Sequence, residues 1–152
     1  MDIQITPHFN LSEFLYSDTV DSMKRTSPIL YASQHSIDFS VLFNIYCLCG
    51  EILEPCRVHL GYPIHINSGY RCAALNKRVG GSRTSQHLKG EAADITCFDN
   101  DALFRYILHV NLPFDQLIVY GRRSSSDARP IRFIHVSHVC KGTNRKMILY
   151  RP

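Results

Sequence analysis

A histidine and an aspartate stand seven residues apart in the stretch SQHLKGEAAD, residues 85–94, joined by a turn-forming Lys89-Gly90 and a pair of alanines. Imidazole and carboxylate are both metal donors, so the first question is whether a third donor can reach them. Side chains along a strand alternate between its two faces. In AADIT, Ala92, Asp94 and Thr96 therefore share one face. In RFIHVSHV, His135 shares its face with Phe133, Ser137 and Val139, and His138 falls on the other face of a straight strand. Asp94 and His135 can thus look into one groove, with His87 folded back over the Lys89-Gly90 turn. Two imidazoles and one carboxylate, with a fourth position left to water, form the ligand set of a catalytic zinc site. The lack of thiolate ligands argues against a closed structural site. Zinc brings the pKa of its bound water to about 7, which yields a nucleophile at neutral pH. Each residue also has an ordinary reading. The chain holds 8 histidines, any of which can be a satisfied or exposed side chain, and Asp94 can be a buried carboxylate capping a turn.

The elements that must position these residues follow from periodicity. HFNLSEFLYS offers Asn10 three residues before Glu13, a capping-box start for a short helix. Residues 17–35 are polar and irregular and read as a surface connection. From Ile37 to about Leu60, apolar side chains recur with the spacing of one buried helical stripe; Pro55 should bend this helix near its end and Gly61 should stop it. YPIHINS reads as a strand, AALNKRV as a short helix, and GGSRTS as a flexible loop turned by Gly80 and Gly81. AADITCF is a second strand, and Asp99 or Asn100 can cap a helix over residues 99–109. FDQLIVY and IRFIHVSHV are two further strands joined by the polar loop RRSSSDARP, and RKMILY follows at the end. A helix-rich first half and a strand-rich second half predict an α+β fold, with a small, mainly antiparallel sheet packed against helices.

Composition bounds the function classes. At 152 residues the chain fits a single domain, residues 1–152, with ordinary proportions of hydrophobic (45%) and charged (20%) residues. The net charge of +4 is mild. With no basic helix and no aromatic-studded basic strand, nucleic acid is not expected as a partner. No run of 18 apolar residues predicts a membrane span. The start, MDIQITPHFNLSEF, lacks the basic opening and apolar core of a secretory signal, so a protein made in the cytoplasm and released by other means is expected. The 6 cysteines form no CxxC pair, and free thiols are expected, with Cys49 and Cys56 acting as small hydrophobes on the long helix. Nothing in the pattern calls for a coiled coil or an obligate interface, so a monomer is expected.

The string SGYRC, then LNKRVGGSRTSQHLKGEAADI, then FIHVS resembles the zinc peptidases that include D-alanyl-D-alanine carboxypeptidases and phage L-alanyl-D-glutamate endopeptidases, with the hedgehog signalling domain as a distant structural relative. Their SxHxxGxAxD motif is matched by Ser85, His87, Gly90, Ala92 and Asp94, and their third ligand by His135. The resemblance covers nearly the whole chain. It implies a hedgehog-like fold, Zn2+ held by His87, Asp94 and His135, and peptidoglycan stem peptides as substrate, as in a phage or prophage endolysin acting at the cell wall. It also implies that Arg71 binds the substrate carbonyl and the oxyanion that develops on it. The bland alternative for Arg71 is a structural ion pair. Ser85, Gln86 and Tyr70 are expected to bind substrate, or to orient the ligands.

The match departs where a general base should stand. Relatives often carry an acid three residues before the last histidine, and this chain has Arg132; others have glutamate after FDQLI, where this chain has Val119 and Tyr120. Asp127, Glu91 and His138 are the remaining candidates for a group that takes a proton. The departure keeps a rival reading open: a zinc-containing module that binds cell-wall peptide without cleaving it. A structural protein with no metal is a third.

Overall fold

The computed structural model describes residues 2–152 and is α+β. Near the N-terminus, β1 (Gln4–Thr6) pairs antiparallel with β2 (Phe9–Asn10). The helix α1 (Leu11–Leu15) follows, and the Glu13 carboxylate accepts the Asn10 N–H at 2.8 Å as the capping box requires. Two helices, α2 (Asp18–Asp21) and α3 (Pro28–His35), then replace the irregular connection expected for residues 17–35. Pro28 pre-sets the first turn of α3. The apolar residues there are too sparse to form a stripe, but Val20 and Leu30 pack with Cys72 and Leu75 in a small satellite cluster that no local pattern discloses.

The long helix breaks into α4 (Phe39–Leu48), a π-turn (Cys49–Leu53) and α5 (Glu54–Leu60). The Glu54 N–H reaches back five residues to the Cys49 carbonyl, and Pro55, which has no N–H to place, enters in the first turn of α5. Gly61 stops α5 in the left-handed region at φ 74°. By length and composition alone, Phe39–Leu60 is apolar enough to cross a membrane. Its stripe of Ile45, Leu48, Ile52 and Leu53 is instead fully buried in the main core.

The remaining elements are β3 (Ile64–Ser68), α6 (Ala73–Arg78), β4 (Ala92–Cys97), α7 (Asn100–His109), β5 (Gln116–Tyr120), β6 (Phe133–Ser137) and β7 (Met147–Arg151). Asp99 caps α7 by accepting the Ala102 N–H at 2.8 Å. The sheet runs β3-β4-β6-β5-β7, antiparallel except for the parallel β5–β7 edge. One face of the central strands is apolar: Ala93, Ile95, Leu117, Val119, Ile134 and Val136 are all fully buried with α4 and α7 residues. Each of the larger side chains contributes about 1.5–3 kcal/mol of burial, which pins the register. The opposite face of the same strands carries the polar side chains Asp94, Thr96, Gln116, His135 and Ser137 beside Ala92, Ile118, Tyr120 and Phe133.

One expectation about the cysteines is overturned. Cys47 on α4 and Cys140 after β6 form a disulfide with Cα atoms 5.9 Å apart, across 93 residues of sequence. Cys49, Cys56, Cys72 and Cys97 are free thiols. The pairing needs α4 to lie beside the end of β6, which is a property of the packed fold and leaves no spacing signature.

Candidate metal centre

The register of β4 against β6 sets Asp94 directly opposite His135. His87 arrives from a 3₁₀ turn (Gln86–Lys89) that ends at Gly90, whose φ is 71°. A Cβ on Gly90 would also stand 2.8 Å from the Val41 carbonyl oxygen, so glycine is required there on two counts. Three donor atoms meet as a result. Asp94 Oδ1 lies 2.9 Å from His135 Nδ1 and 3.4 Å from His87 Nε2, and the two imidazole nitrogens are 3.2 Å apart. Metal–donor bonds of about 2.0–2.1 Å in a tetrahedron give donor–donor edges of about 3.3–3.4 Å. The three atoms therefore already stand close to one triangular face of such a site.

The surrounding groups fix each donor. His87 Nδ1 is 2.7 Å from the Gly69 carbonyl. A carbonyl only accepts, so Nδ1 carries the hydrogen and Nε2 is left bare as a ligand. Gly69 itself admits no side chain, because a Cβ would come within 2.6 Å of the Phe14 backbone. Burial pushes the Asp94 carboxyl up, but the adjoining His135 and His87 imidazoles outweigh it and hold Asp94 well below the usual carboxylate range. It is ionised at neutral pH, the state in which a carboxylate can hold a metal.

Arg71 stands on the near wall. Its Nη2 is 3.9 Å from Asp94 Oδ2, the oxygen that does not face the imidazoles. Desolvation lowers the guanidinium pKa, against the pull of Asp94 and Tyr120. Its Nε is buried and has no partner. Backbone bonds hold this segment: Tyr70 N–H to Phe14 O at 2.8 Å and Arg71 N–H to His87 O at 3.0 Å. The fully buried Gln34 completes the support, donating to Leu15 O (3.1 Å) and Tyr70 O (2.7 Å) and accepting from Cys72 N–H (2.9 Å). Sequence reading missed Gln34, which sits in a segment with no helical stripe to mark its buried position.

Arg71, His87, Asp94 and His135 line a cavity of about 550 Å3. Ser85 and Gln86 reach it, as the motif predicts; Tyr70 does not, and packs instead against both apolar clusters. Gln116, Ile118 and Tyr120 of β5 and Arg145 also reach it, and the sequence had marked none of them as site residues. The alternation of β5 could have singled out the three, since Leu117 and Val119 face the core.

None of the three candidate bases lines this cavity. Asp127 is bound by the Arg129 guanidinium and accepts the Arg123 N–H at 2.8 Å, within the loop 122–130. His138 is buried on the far face, with Nδ1 2.7 Å from the Pro113 carbonyl. Glu91 is nearly buried, and desolvation raises its pKa. Arg132 points away, donating to Pro152 O at 3.1 Å. Asp94 is the one carboxylate among the described residues that line the cavity.

Residues 9–137 match the Peptidase M15 family, and the chain belongs to it. No curated protein matches the chain. The matched span contains His87, Asp94, His135 and Arg71, and it ends before Arg145 and β7.

Proposed function

We propose that this chain is a zinc-dependent peptidase that cleaves peptidoglycan stem peptides. The observation that carries the reading is the set of three donor edges of 2.9, 3.2 and 3.4 Å on the floor of a cavity that Arg71 also lines. Zinc held by His87 Nε2, Asp94 Oδ1 and His135 Nδ1 would supply a Lewis acid and an activated water. The protein's own groups do the rest. The Gly69 carbonyl and the Asp94–His135 pairing hold the donors at rest in their bound geometry. Arg71 receives the scissile carbonyl oxygen and the charge that grows on it, and its unpartnered Nε shows a donor not yet satisfied. Such a cation contributes about 3–4 kcal/mol to the transition state. The Cys47–Cys140 disulfide supports action outside a reducing compartment, at the cell wall after release.

A second reading draws on a specific observation: among the described residues no carboxylate besides Asp94 lines the cavity, and Tyr120 stands on β5 near where some relatives carry a glutamate. On that reading the protein binds wall peptide without cleaving it. Incubation of purified, zinc-loaded protein with peptidoglycan, followed by mass spectrometry of the muropeptides, separates the two. New amino termini that vanish with chelator and with His87→Ala support the peptidase; retention on peptidoglycan without cleavage supports the binding module.

A further inference from the structure

A second guanidinium, that of Arg145, lines the cavity with a different construction. Asp115 precedes β5, and its side chain is 2% exposed. Its carboxylate accepts from Arg145 Nε (2.9 and 3.2 Å), Arg145 Nη2 (2.5 Å), Arg145 N–H (2.9 Å) and Gln86 Nε2 (3.1 Å). Those bonds use the acceptor capacity of a carboxylate, which offers about four lone-pair sites. The Arg145 side chain is 52% exposed and lines the cavity. An arginine has about five N–H donors. With Nε and one Nη2 hydrogen on Asp115, three remain, on a plane that the buried carboxylate holds fixed. Beside them, Gln86 also lines the cavity, and its Oε1 is buried without a partner.

We propose that Arg145, held by Asp115 and Gln86, is a substrate carboxylate subsite that selects peptides with a free carboxylate near the bond held at the metal centre. The inference rests on the peptidase reading and names what the same cavity recognises. A planar fork matches a carboxylate in bidentate fashion, and its immobilisation removes most of the rotamer entropy that binding would otherwise cost. Ion pairing with Asp115 does not cancel the attraction, because the carboxylate lies behind the guanidinium and the remaining donors are the exposed side of the pair.

The test uses the zinc-loaded full chain and the peptide L-Ala-γ-D-Glu-L-Lys-D-Ala-D-Ala in three forms: the free acid, amidated at the D-Glu α-carboxylate, or amidated at the C-terminus. One of the two amidations should lower kcat/KM roughly tenfold to a hundredfold in the wild type. Arg145→Gln should collapse that ratio towards one, and Arg145→Lys, which keeps the charge and loses the fork, should retain only part of it. Equal handling of all three peptides by the wild type overturns the proposal. So does an Arg145→Gln protein that loses rate by the same factor on each peptide, which is the mark of a structural role. If the wild type cleaves none of them, the peptidase reading fails, and calorimetric binding of the same peptides decides the subsite: discrimination that Arg145→Gln abolishes upholds it, and equal affinities overturn it.

Discussion

The two walls of the cavity handle positive charge in opposite ways. On the near wall Arg71 is nearly buried, only loosely paired with Asp94, and left with an unsatisfied Nε. On the far wall Arg145 is half exposed, with Nε and one Nη2 hydrogen on a buried carboxylate and its other donors free. An under-satisfied, desolvated cation gains most when new negative charge appears beside it, as happens in a transition state. A pre-paired cation holds its remaining donors in fixed geometry, which serves recognition of a charge already present on a ligand. On the proposed peptidase reading, the near wall serves rate and the far wall selection.

The largest expected effect removes what both walls serve. His87→Ala should abolish stoichiometric zinc, read by elemental analysis, with at least a hundredfold loss of metal affinity. Retained stoichiometric zinc would overturn the assignment of the donors. Next, Arg71→Ala should lower kcat by about 10²–10³ with zinc content unchanged. An effect confined to KM would erase the contrast between the walls. Gln34→Leu strips the near wall of its support by leaving the Cys72 N–H and the Leu15 and Tyr70 carbonyls unpaired. It should cost about 2–3 kcal/mol in urea unfolding, and kcat should fall further than the stability loss explains; an unchanged kcat in the folded variant would detach Gln34 from the site.

The smallest effect concerns the far wall and acid. The hydrogen bond from Arg145 lowers the Asp115 pKa, against burial. The folded protein therefore binds this proton more weakly than the unfolded chain does. The resulting stability is complete above the ordinary carboxylate value of about 3.9 and is lost as pH falls through the lower folded value. Asp115→Asn should flatten the acid limb of the stability curve below about pH 4. An unchanged slope there would show that the Arg145 pairing does not set it.

The donors at the site were legible because strand alternation is a local property. Asp94 and His135 each declare a face from their immediate neighbours, and the Lys89-Gly90 turn announces the bend that returns His87. The third-donor assignment also leaned on the family resemblance, since alternation says nothing about which strand pairs with which. The candidate bases fared differently. Glu91 and Asp127 are close to site residues in sequence, yet one is tucked beside the Gln86 turn and the other is tied to Arg129. Nearness along the chain does not decide which way a side chain leaves it.

Local pattern together with the family resemblance nominated His87, Asp94 and His135 as candidate donors, and local pattern alone disclosed the apolar stripe of Phe39–Leu60 and the faces of β4, β5 and β6. Only the tertiary structure decided the β4–β6 pairing that sets Asp94 opposite His135, the helices over residues 18–35, the parallel β7 edge, the Cys47–Cys140 disulfide and the clamp that brings Arg145 to Asp115. The physical reason is range. Backbone periodicity and turn chemistry act over a few residues, whereas partners 30 to 93 residues apart are chosen by how the whole apolar surface can be buried at once.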